Sequence, residues 1–294
     1  MTTSQLETPS GKGAADENFP VGSWLLPAAL RPHIAIFYAF ARAADDIADN
    51  PALPADEKIR RLDAFDRVLA GAGDAMDGLE KAARMRESLA RTGVSPRHCH
   101  DLLKAFKQDA TRARYADWDD LMAYCNLSAA PVGRYLLDLH GEDAADYPPS
   151  DALCNALQVI NHLQDCAEDY RRLDRVYLPA PAIESAGGQV ADLARDTASP
   201  AIRLVIDDLL ARTDELLDAA GELPGRLRST RLAMESATIL RLARRLTRRL
   251  GREDPLAQRV RLRPWAVGTS AVEGILWGLS RAGRGGPAAG HARH

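Results

Sequence analysis

The 294-residue chain has no apolar stretch approaching the ~20 residues of a membrane span, so we expect no transmembrane segment. Residues 1–20 are polar and lack the apolar core of a secretory signal. Aromatic residues make up only 5% of the chain, and the net charge of −3 gives no strong field that would suit nucleic acid. From these absences we expect a cytoplasmic protein without a nucleic-acid partner.

Cysteine is also scarce. The four cysteines are widely spaced and form neither a CxxC pair nor a zinc-like Cys/His pattern. We therefore expect free, buried thiols in a reducing compartment. They are Cys99, Cys125, Cys154 and Cys166.

Alanine, leucine and arginine dominate instead, and all three favour helix because they lose little side-chain freedom there. With 46% hydrophobic residues, the chain can bury a sizeable core. Apolar residues at helical spacing predict helices over 30–47, 54–69, 77–92, 96–114, 117–140, 150–171, 189–220 and 226–251. No alternating strand pattern or internal repeat is present. The sequence predicts one all-α domain over 16–280, between a disordered leader (1–15) and a disordered basic tail (281–294).

The first motif with chemical content is ARAADDIADN, residues 41–50. Asp45 and Asp49 are four residues apart, so on a helix their carboxylates share one face and repel unless a cation lies between them. Magnesium takes one or two carboxylates and completes its shell with water and phosphate oxygens. Arg42 and Tyr38 precede them on the same broad face. Alone, this motif fits a solvated surface helix as well as a metal site.

The second motif is QVINHLQDCAEDYRRLDRVYLP, in which Asn161, Asp165 and Asp169 follow at steps of four. Amide and carboxylate oxygens in one stripe are suitable ligands for a hard cation. The alternative is a surface helix whose acids form salt bridges with Arg171 and Arg172.

Two such motifs in one helical chain favour catalysis over either alternative. On facing helices, they would hold magnesium ions around a diphosphate, so that an allylic C–O bond ionises without an acid catalyst. The resulting cation requires an apolar cavity that excludes bulk water. Arg175 and Tyr177, just past the acids of the second motif, are placed to close over the phosphate, and arginine supplies a forked contact.

Over roughly 17–265, the chain resembles the squalene/phytoene synthase family. The matching segments are NFPVGSWLLP (18–27), FYAFARAADDIAD (37–49), FKQDATRARYADWDDLMAYC (106–125), SAAPVGR (128–134) and NHLQDCAEDYRRLDRVYLP (161–179). Their order, spacing and context agree, which makes the resemblance specific. It implies a single-domain, all-α isoprenoid synthase bundle with a central apolar cavity.

The resemblance also implies roles for individual residues. The catalytic and magnesium-binding residues would be Asp45, Asp49, Asp165 and Asp169, with Asn161 as a further metal ligand. The diphosphate or the metal shell would be contacted by Arg42, Gln158, Arg175 and Tyr177. The substrate's prenyl chains would meet Phe19, Tyr38, Phe106 and Tyr124, with Asn18 also at the substrate site.

Some positions depart from the general family pattern. Asn18 stands where many members have serine, and SAAP precedes Val132 where many have Val-Ala-Gly. Gln164 stands where many carry arginine, immediately before the first aspartate of the second motif. We expect loss of that cation to weaken one of two diphosphate subsites, which disfavours condensation of two farnesyl diphosphates.

These features resemble the hydroxysqualene synthase branch of bacterial hopanoid pathways. That resemblance implies magnesium-dependent ionisation of presqualene diphosphate, rearrangement of the cation and capture by water to give hydroxysqualene. We find no Rossmann fingerprint for NADPH. Two alternatives stay open: a synthase that condenses two allylic diphosphates to presqualene diphosphate, squalene or phytoene, and a non-catalytic helical scaffold of the same fold.

Other residues allow more than one interpretation. The arginine-rich C-terminal part is either a solvated helix face or a surface that meets anionic lipid at the inner face of the membrane, where product is handed to other squalene-pathway enzymes. His162 lacks the further ligands of a zinc site, so we expect a buried core or wall histidine. Asp109 and Tyr115 match the family pattern. For both residues, two roles stay open: a hydrogen bond between helices and a part in catalysis.

Overall fold

The computed structural model describes residues 26–72 and 78–262, together with Thr269 and Glu273. Within these residues the chain forms eleven α-helices and no strand, which confirms the predicted all-α class. The helices are α1 (Arg31–Ala48), α2 (Ala55–Leu69), α3 (Glu80–Thr92), α4 (Arg97–Asp109), α5 (Trp118–Ser128), α6 (Ala130–His140), α7 (Tyr147–Leu173), α8 (Ala180–Ser185), α9 (Pro200–Ala219), α10 (Leu223–Arg226) and α11 (Thr230–Leu250). The predicted leader (1–15) and tail (281–294), with Asn18 and Phe19, lie outside the described residues.

Proline and loop residues account for the main differences from the predicted helices. The helix predicted over 117–140 is two helices, α5 and α6, because Pro131 lies in the first turn of α6 and cannot donate to a preceding carbonyl. The helix predicted over 189–220 is a short 3-10 turn followed by α9, which begins at Pro200. Helix α4 ends at Asp109, five residues before the predicted boundary, and an irregular segment leads to α5.

Helix α7 is the central element of the bundle and packs against α5, α6, α9 and α11. Its residues Val159, Ile160 and Leu163 are completely buried. Helix α1 packs against α2, α3 and α4, and α4 in turn packs against α5 and α6. Helices α4 and α5 therefore connect the first motif, on α1, to the second motif, on α7.

The close approach of α6 to α7 depends on Gly133. A Cβ atom at this position would lie 2.7 Å from the Sγ of Cys154 and would also overlap the Oγ of Ser150. Since neither contact is compatible with van der Waals radii, the glycine of SAAPVGR has a packing role that any larger residue would disturb.

The chain leaves α7 through Asp174, whose φ of 48° places it in the left-handed region. Aspartate tolerates this conformation better than most residues. In the next residues, the Arg175 N–H donates to the Asp169 carbonyl at 3.2 Å, and the Val176 N–H donates to the Ala113 carbonyl at 2.9 Å. The turn therefore directs residues 175–178 back across the loop after α4.

The state of the cysteines and the lengths of the helices can be compared with the sequence predictions. All four thiols are free, and three are buried while Cys154 is half-buried. No helix in the described part of the chain is both long and apolar enough to cross a membrane.

Several arginines of α11 are neutralised by nearby acids. Arg244 lies 2.9 Å from Asp218, and Arg249 lies 2.6 Å from Glu253. Ion pairs of this kind fit the solvated-face interpretation for these two arginines, and lipid contact stays a prediction.

Candidate active site

The first motif occupies one face at the C-terminal end of α1, and Asp49 is the residue that caps this helix. Tyr38, Arg42, Asp45 and Asp49 are all half-buried, because steps of three and four residues bring them to one side of the helix. Arg42 lies between two acids, with Nη1 3.1 Å from Asp45 Oδ2 and Nη2 2.9 Å from Asp46 Oδ1. The motif is therefore neither a freely solvated surface nor part of the apolar core.

The second motif forms a stripe along α7. Its half-buried members are Gln158, Asn161, Asp165 and Asp169. The predicted surface salt bridge exists on the exposed side of the same helix, where Arg172 lies 2.9 Å from Glu168. Arg171 donates to the carbonyls of Ala194 and Arg195 instead. Neither arginine pairs with Asp165 or Asp169, so the surface alternative does not account for the stripe.

The two motifs are joined by Arg175. Its Nη1 donates to Asp49 Oδ1 at 2.8 Å, although the two residues are 126 positions apart. Its Nη2 donates to the backbone carbonyl of Asp109 at 3.1 Å. Only 8% of the Arg175 side chain is exposed. The arginine therefore fastens the segment after α7 to both α1 and α4, with little water around it.

The carboxylates of the two helices repel one another. The pKa of Asp169 is raised from 3.8 to about 7, first by burial and then by the charges of Asp165 and Asp49. The pKa of Asp45 is also raised well above its usual value, by burial and then by Asp49. Although 31% of the Asp45 side chain remains accessible, protein surrounds it closely enough to desolvate the charge. A divalent cation would relieve this repulsion.

A further carboxylate, Asp109, lies in the same region at the end of α4. Its side chain is 4% exposed, and Tyr124 donates its hydroxyl to Oδ2 at 2.8 Å. The other oxygen, Oδ1, has no hydrogen-bond partner among the described residues and lies 3.9 Å from Arg175 Nε. Burial raises the pKa of Asp109 to about 7, against the opposing effects of Arg175 and Tyr124. The match of FKQD to the family pattern was the sequence signal for this residue.

Beside Asp109 lies an aromatic cluster formed by Tyr115, Tyr124, His162 and Tyr177. The His162 ring stacks on Tyr177 with 3.4 Å between centroids, and the Tyr115 and Tyr124 centroids lie 5.5 and 5.7 Å from Tyr177. His162 is buried, as predicted, and burial lowers its pKa to about 3, so the ring is uncharged. The Oη of Tyr115 and the Nε2 of His162 have no hydrogen-bond partner in the part of the chain described. Each such buried atom costs about 1–3 kcal/mol.

Gln164 does not lie in the carboxylate stripe. It is 2% exposed, and its Nε2 donates to the backbone carbonyl of Val260, in the segment after α11. The neighbouring Arg259 forms a forked ion pair with Asp165, with Nε 2.6 Å from Oδ1 and Nη2 2.7 Å from Oδ2. A guanidinium group therefore lies beside the second motif even though residue 164 is neutral. Arg259, 94 positions from Asp165, therefore offsets the expected loss of a cation. The spacing of residues along one helix does not reveal such a distant partner.

The chain matches the squalene/phytoene synthase family model over residues 13–266. The chain therefore belongs to the squalene/phytoene synthase family. It is 45% identical to a hydroxysqualene synthase of Rhodopseudomonas palustris over 89% of each chain. It is 42% identical to a hydroxysqualene synthase of Sinorhizobium fredii, over 85% of this chain and 84% of that one. Among solved structures, it is similar to squalene synthase HpnC from Alicyclobacillus acidocaldarius, with 30% identity, a TM-score of 0.68, and coverage of 79% of this chain and 88% of that one.

These relatives confirm both the predicted squalene/phytoene synthase membership and the resemblance to its hydroxysqualene synthase branch. They also agree with the helical isoprenoid synthase fold. Of the predicted substrate residues, Phe106, Tyr124, Arg175 and Tyr177 are buried, while Gln158 joins the half-buried stripe already described. The roles assigned to them stay predictions.

The predicted metal ligands of this squalene/phytoene synthase family member do not form a preassembled cluster. No three His, Cys, Asp or Glu side chains among the described residues are arranged to hold a metal ion. The acids are instead paired with guanidinium groups, Asp45 with Arg42, Asp49 with Arg175, and Asp165 with Arg259. The donor set still fits a hard cation, because it consists of carboxylate and amide oxygens whose mutual repulsion the arginines only partly offset.

Proposed function

We propose that this chain is a hydroxysqualene synthase, which converts presqualene diphosphate and water to hydroxysqualene and diphosphate. The observation that carries the proposal is the convergence of the α1 and α7 carboxylates around Arg175. It occurs in a chain that aligns over most of its length with hydroxysqualene synthases at 42 and 45% identity.

The acidic residues would hold the metal. Magnesium would bind through Asp45, Asp49, Asn161, Asp165 and Asp169, where it supplies positive charge to the departing diphosphate.

The polar residues around these acids would bind the diphosphate itself. Arg42 and Arg175 hold guanidinium groups beside the same acids, and the forked N–H pattern matches phosphate oxygens. Gln158, Tyr38 and Tyr177 would supply further hydrogen-bond donors to the diphosphate. These residues fix the diphosphate so that the C–O bond breaks toward the apolar interior.

Two buried aromatic side chains, on α4 and on α5, suit the cationic intermediate, and the α5 ring belongs to Tyr124, which bonds Asp109. Phe106 and Tyr124 are 9 and 3% exposed, so they exclude bulk water. Ring faces also attract cations without donating a nucleophile. We propose that these rings wall the cavity in which the cyclopropylcarbinyl cation rearranges before water adds.

Product analysis tests the reaction. Purified protein is incubated with presqualene diphosphate and magnesium in H2(18)O, with and without NADPH, and the C30 products are identified by mass spectrometry. We expect an (18)O-labelled alcohol whose yield does not depend on NADPH. Squalene formed only with NADPH would refute water capture.

Paired variants test the metal assignment. We expect Asp45→Ala and Asp165→Ala each to lower diphosphate release by a factor of at least ~10² while circular dichroism stays unchanged. Asp208→Ala is the matched control, because Asp208 lies on α9 and, among the described residues, pairs only with Arg212, one turn away on the same helix. Full activity in both acidic-motif variants would show that these carboxylates do not hold the catalytic metal.

Condensation of two farnesyl diphosphates is the second candidate reaction. It is favoured by Arg259, because this residue places a guanidinium beside Asp165 although residue 164 is a neutral glutamine. Farnesyl diphosphate supplied alone separates the two reactions, since a C30 product without a partner enzyme supports condensation. Magnesium-dependent binding of a prenyl diphosphate analogue separates both from a non-catalytic scaffold, which has no need of mutually repelling carboxylates.

We also propose that the enzyme is cytoplasmic and meets the inner face of the membrane through its basic C-terminal region, where it hands its apolar product to the next enzyme. Arg248 and Arg252 are exposed near the end of α11 and available to anionic headgroups. Co-sedimentation with vesicles containing anionic lipid, compared with neutral vesicles, tests this contact. Equal recovery with both kinds of vesicle would refute it.

A further inference from the structure

Three buried polar atoms without hydrogen-bond partners in the described chain belong to side chains that surround one ring, Tyr124. They are Asp109 Oδ1, Tyr115 Oη and His162 Nε2. Tyr124 donates to the other Asp109 oxygen at 2.8 Å, and its ring centroid lies 5.4 Å from that of Tyr115 and 6.1 Å from that of His162. All three side chains are more than nine-tenths buried. Folded proteins rarely leave several such groups unsatisfied around one side chain, so the grouping points to a bound polar molecule.

The chemistry of these atoms suits water. A carboxylate oxygen accepts hydrogen bonds, a phenol hydroxyl both donates and accepts, and an uncharged imidazole nitrogen accepts when its proton is on Nδ1. A buried water is stable when it has two to four polar partners of this kind, in a setting otherwise formed by rings.

The position of the grouping connects it to the carboxylate site. Arg175 donates to Asp49 at 2.8 Å and approaches the Tyr177 hydroxyl at 3.4 Å, and Tyr177 is the ring on which His162 stacks. His162 also follows Asn161 directly on α7. Asp109 therefore lies beside the predicted metal ligands Asp45 and Asp49, where the diphosphate would leave, and the side chains of Tyr115 and His162 belong to the adjoining aromatic cluster.

We propose that Asp109, Tyr115 and His162 bind the water molecule that captures the carbocation, with His162 Nε2 as its hydrogen-bond acceptor. The inference rests on the proposed function and adds to it the residues that select water addition. An oxygen lone pair of the water forms the new C–O bond at the cationic carbon. The proton lost from the resulting oxonium ion ends on the diphosphate released in the first step, so the balanced products are the alcohol and diphosphate.

Substitutions at His162 test the acceptor separately from the ring. His162→Phe keeps an aromatic ring against Tyr177 but removes the acceptor, and His162→Gln restores an acceptor without the ring. His140→Phe is the matched control. His140 Nε2 also has no hydrogen-bond partner among the described residues, but it lies at the end of α6, outside the aromatic cluster. The readout is the ratio of (18)O-labelled alcohol to hydrocarbon among the C30 products formed from presqualene diphosphate.

We expect His162→Phe to lower the alcohol-to-hydrocarbon ratio by about tenfold, because a lost hydrogen bond to the nucleophile lets proton loss from the cation compete. His162→Gln should recover the ratio to within about threefold of the parent, and His140→Phe should leave it unchanged. If His162→Phe does not fold, Tyr115→Phe removes a single hydroxyl and should lower the same ratio.

An unchanged ratio in His162→Phe, with normal turnover, would refute the water site and leave the proposed function intact. Equal loss of alcohol in the Phe and Gln variants would also refute it, since ring shape would then govern the outcome. Failure of the parent protein to release diphosphate from presqualene diphosphate would instead refute the proposed function, and the water site with it.

Discussion

Asp109→Asn should stabilise the metal-free protein at alkaline pH and lose that advantage in acid. The substitution preserves the shape of the side chain, and Tyr124 can still donate to the amide oxygen. The Arg175 contact to the backbone carbonyl of residue 109 is also preserved. What disappears is a buried charge that faces Arg175, Lys58 and Asp49.

The magnitude follows from the raised pKa of Asp109. A change from 3.8 to about 7 at a side chain only 4% exposed corresponds to a cost of about 4 kcal/mol for ionising the acid in the folded state. Because the folded pKa lies above the unfolded one, the stabilising contribution of the protonated acid is complete below pH ~4, is lost as pH rises to ~7 and is constant above that. The new amide N–H2 needs an acceptor and costs ~1–3 kcal/mol. The net gain for asparagine is therefore ~1–3 kcal/mol at pH 8 and about zero or slightly negative at pH 5.

Urea denaturation followed by circular dichroism, in EDTA-containing buffer from pH 5 to pH 8, measures this difference. The free energy of unfolding of Asp109→Asn relative to the parent should rise by about 3 kcal/mol over that range. Asp208→Asn is the control, because Asp208 is 62% exposed and its replacement should change stability by less than ~0.5 kcal/mol at any pH. A difference for Asp109→Asn that does not depend on pH would refute the reasoning, since it would mean that Asp109 ionises normally.

Three further substitutions test the packing around the site. Arg175→Gln should lower the free energy of unfolding by about 2 kcal/mol in urea denaturation, because it leaves the half-buried charge of Asp49 without its partner. Unchanged stability would contradict the role given to this contact. Gly133→Ala should lower stability by ~1–3 kcal/mol through overpacking, and Cys154→Ala in the same chain should recover part of the loss if the clash is the cause. Gln164→Ala should accelerate amide hydrogen exchange in the segment after α11, and unchanged exchange would show that the side chain does not anchor that segment.

The sequence made α1 and α7 predictable because each carries a long apolar pattern of helical period with its acids on a separate stripe. Boundaries were less predictable where a break depends on one residue. Pro131 divides what reads as a single helix, and α4 ends at Asp109 although the pattern continues. These breaks depend on backbone hydrogen bonds that have to be satisfied locally, and apolar periodicity does not report them.

Asp165 shows the limit of sequence reasoning at the site. Its place in a polar stripe is fixed by steps of four along one helix, but its partner is not. The residue one position before it suggested a missing cation, whereas the fold supplies Arg259 from beyond α11 and turns Gln164 into an anchor for that segment. Which residue meets a carboxylate depends on how distant segments pack, and one-dimensional spacing carries no information about that.

By itself, the sequence determined the helical class, the two acidic stripes, their neighbours Arg42 and Arg175, and the family, because each of these is encoded in local order and spacing. Only the tertiary structure decided that the stripes converge around Arg175 and that Asp109 lies beside them. It also decided that Tyr115 and His162 join Asp109 around Tyr124. The physical reason is that desolvation and charge repulsion are properties of the space between helices, and that space exists only once α1, α4, α5 and α7 have packed together.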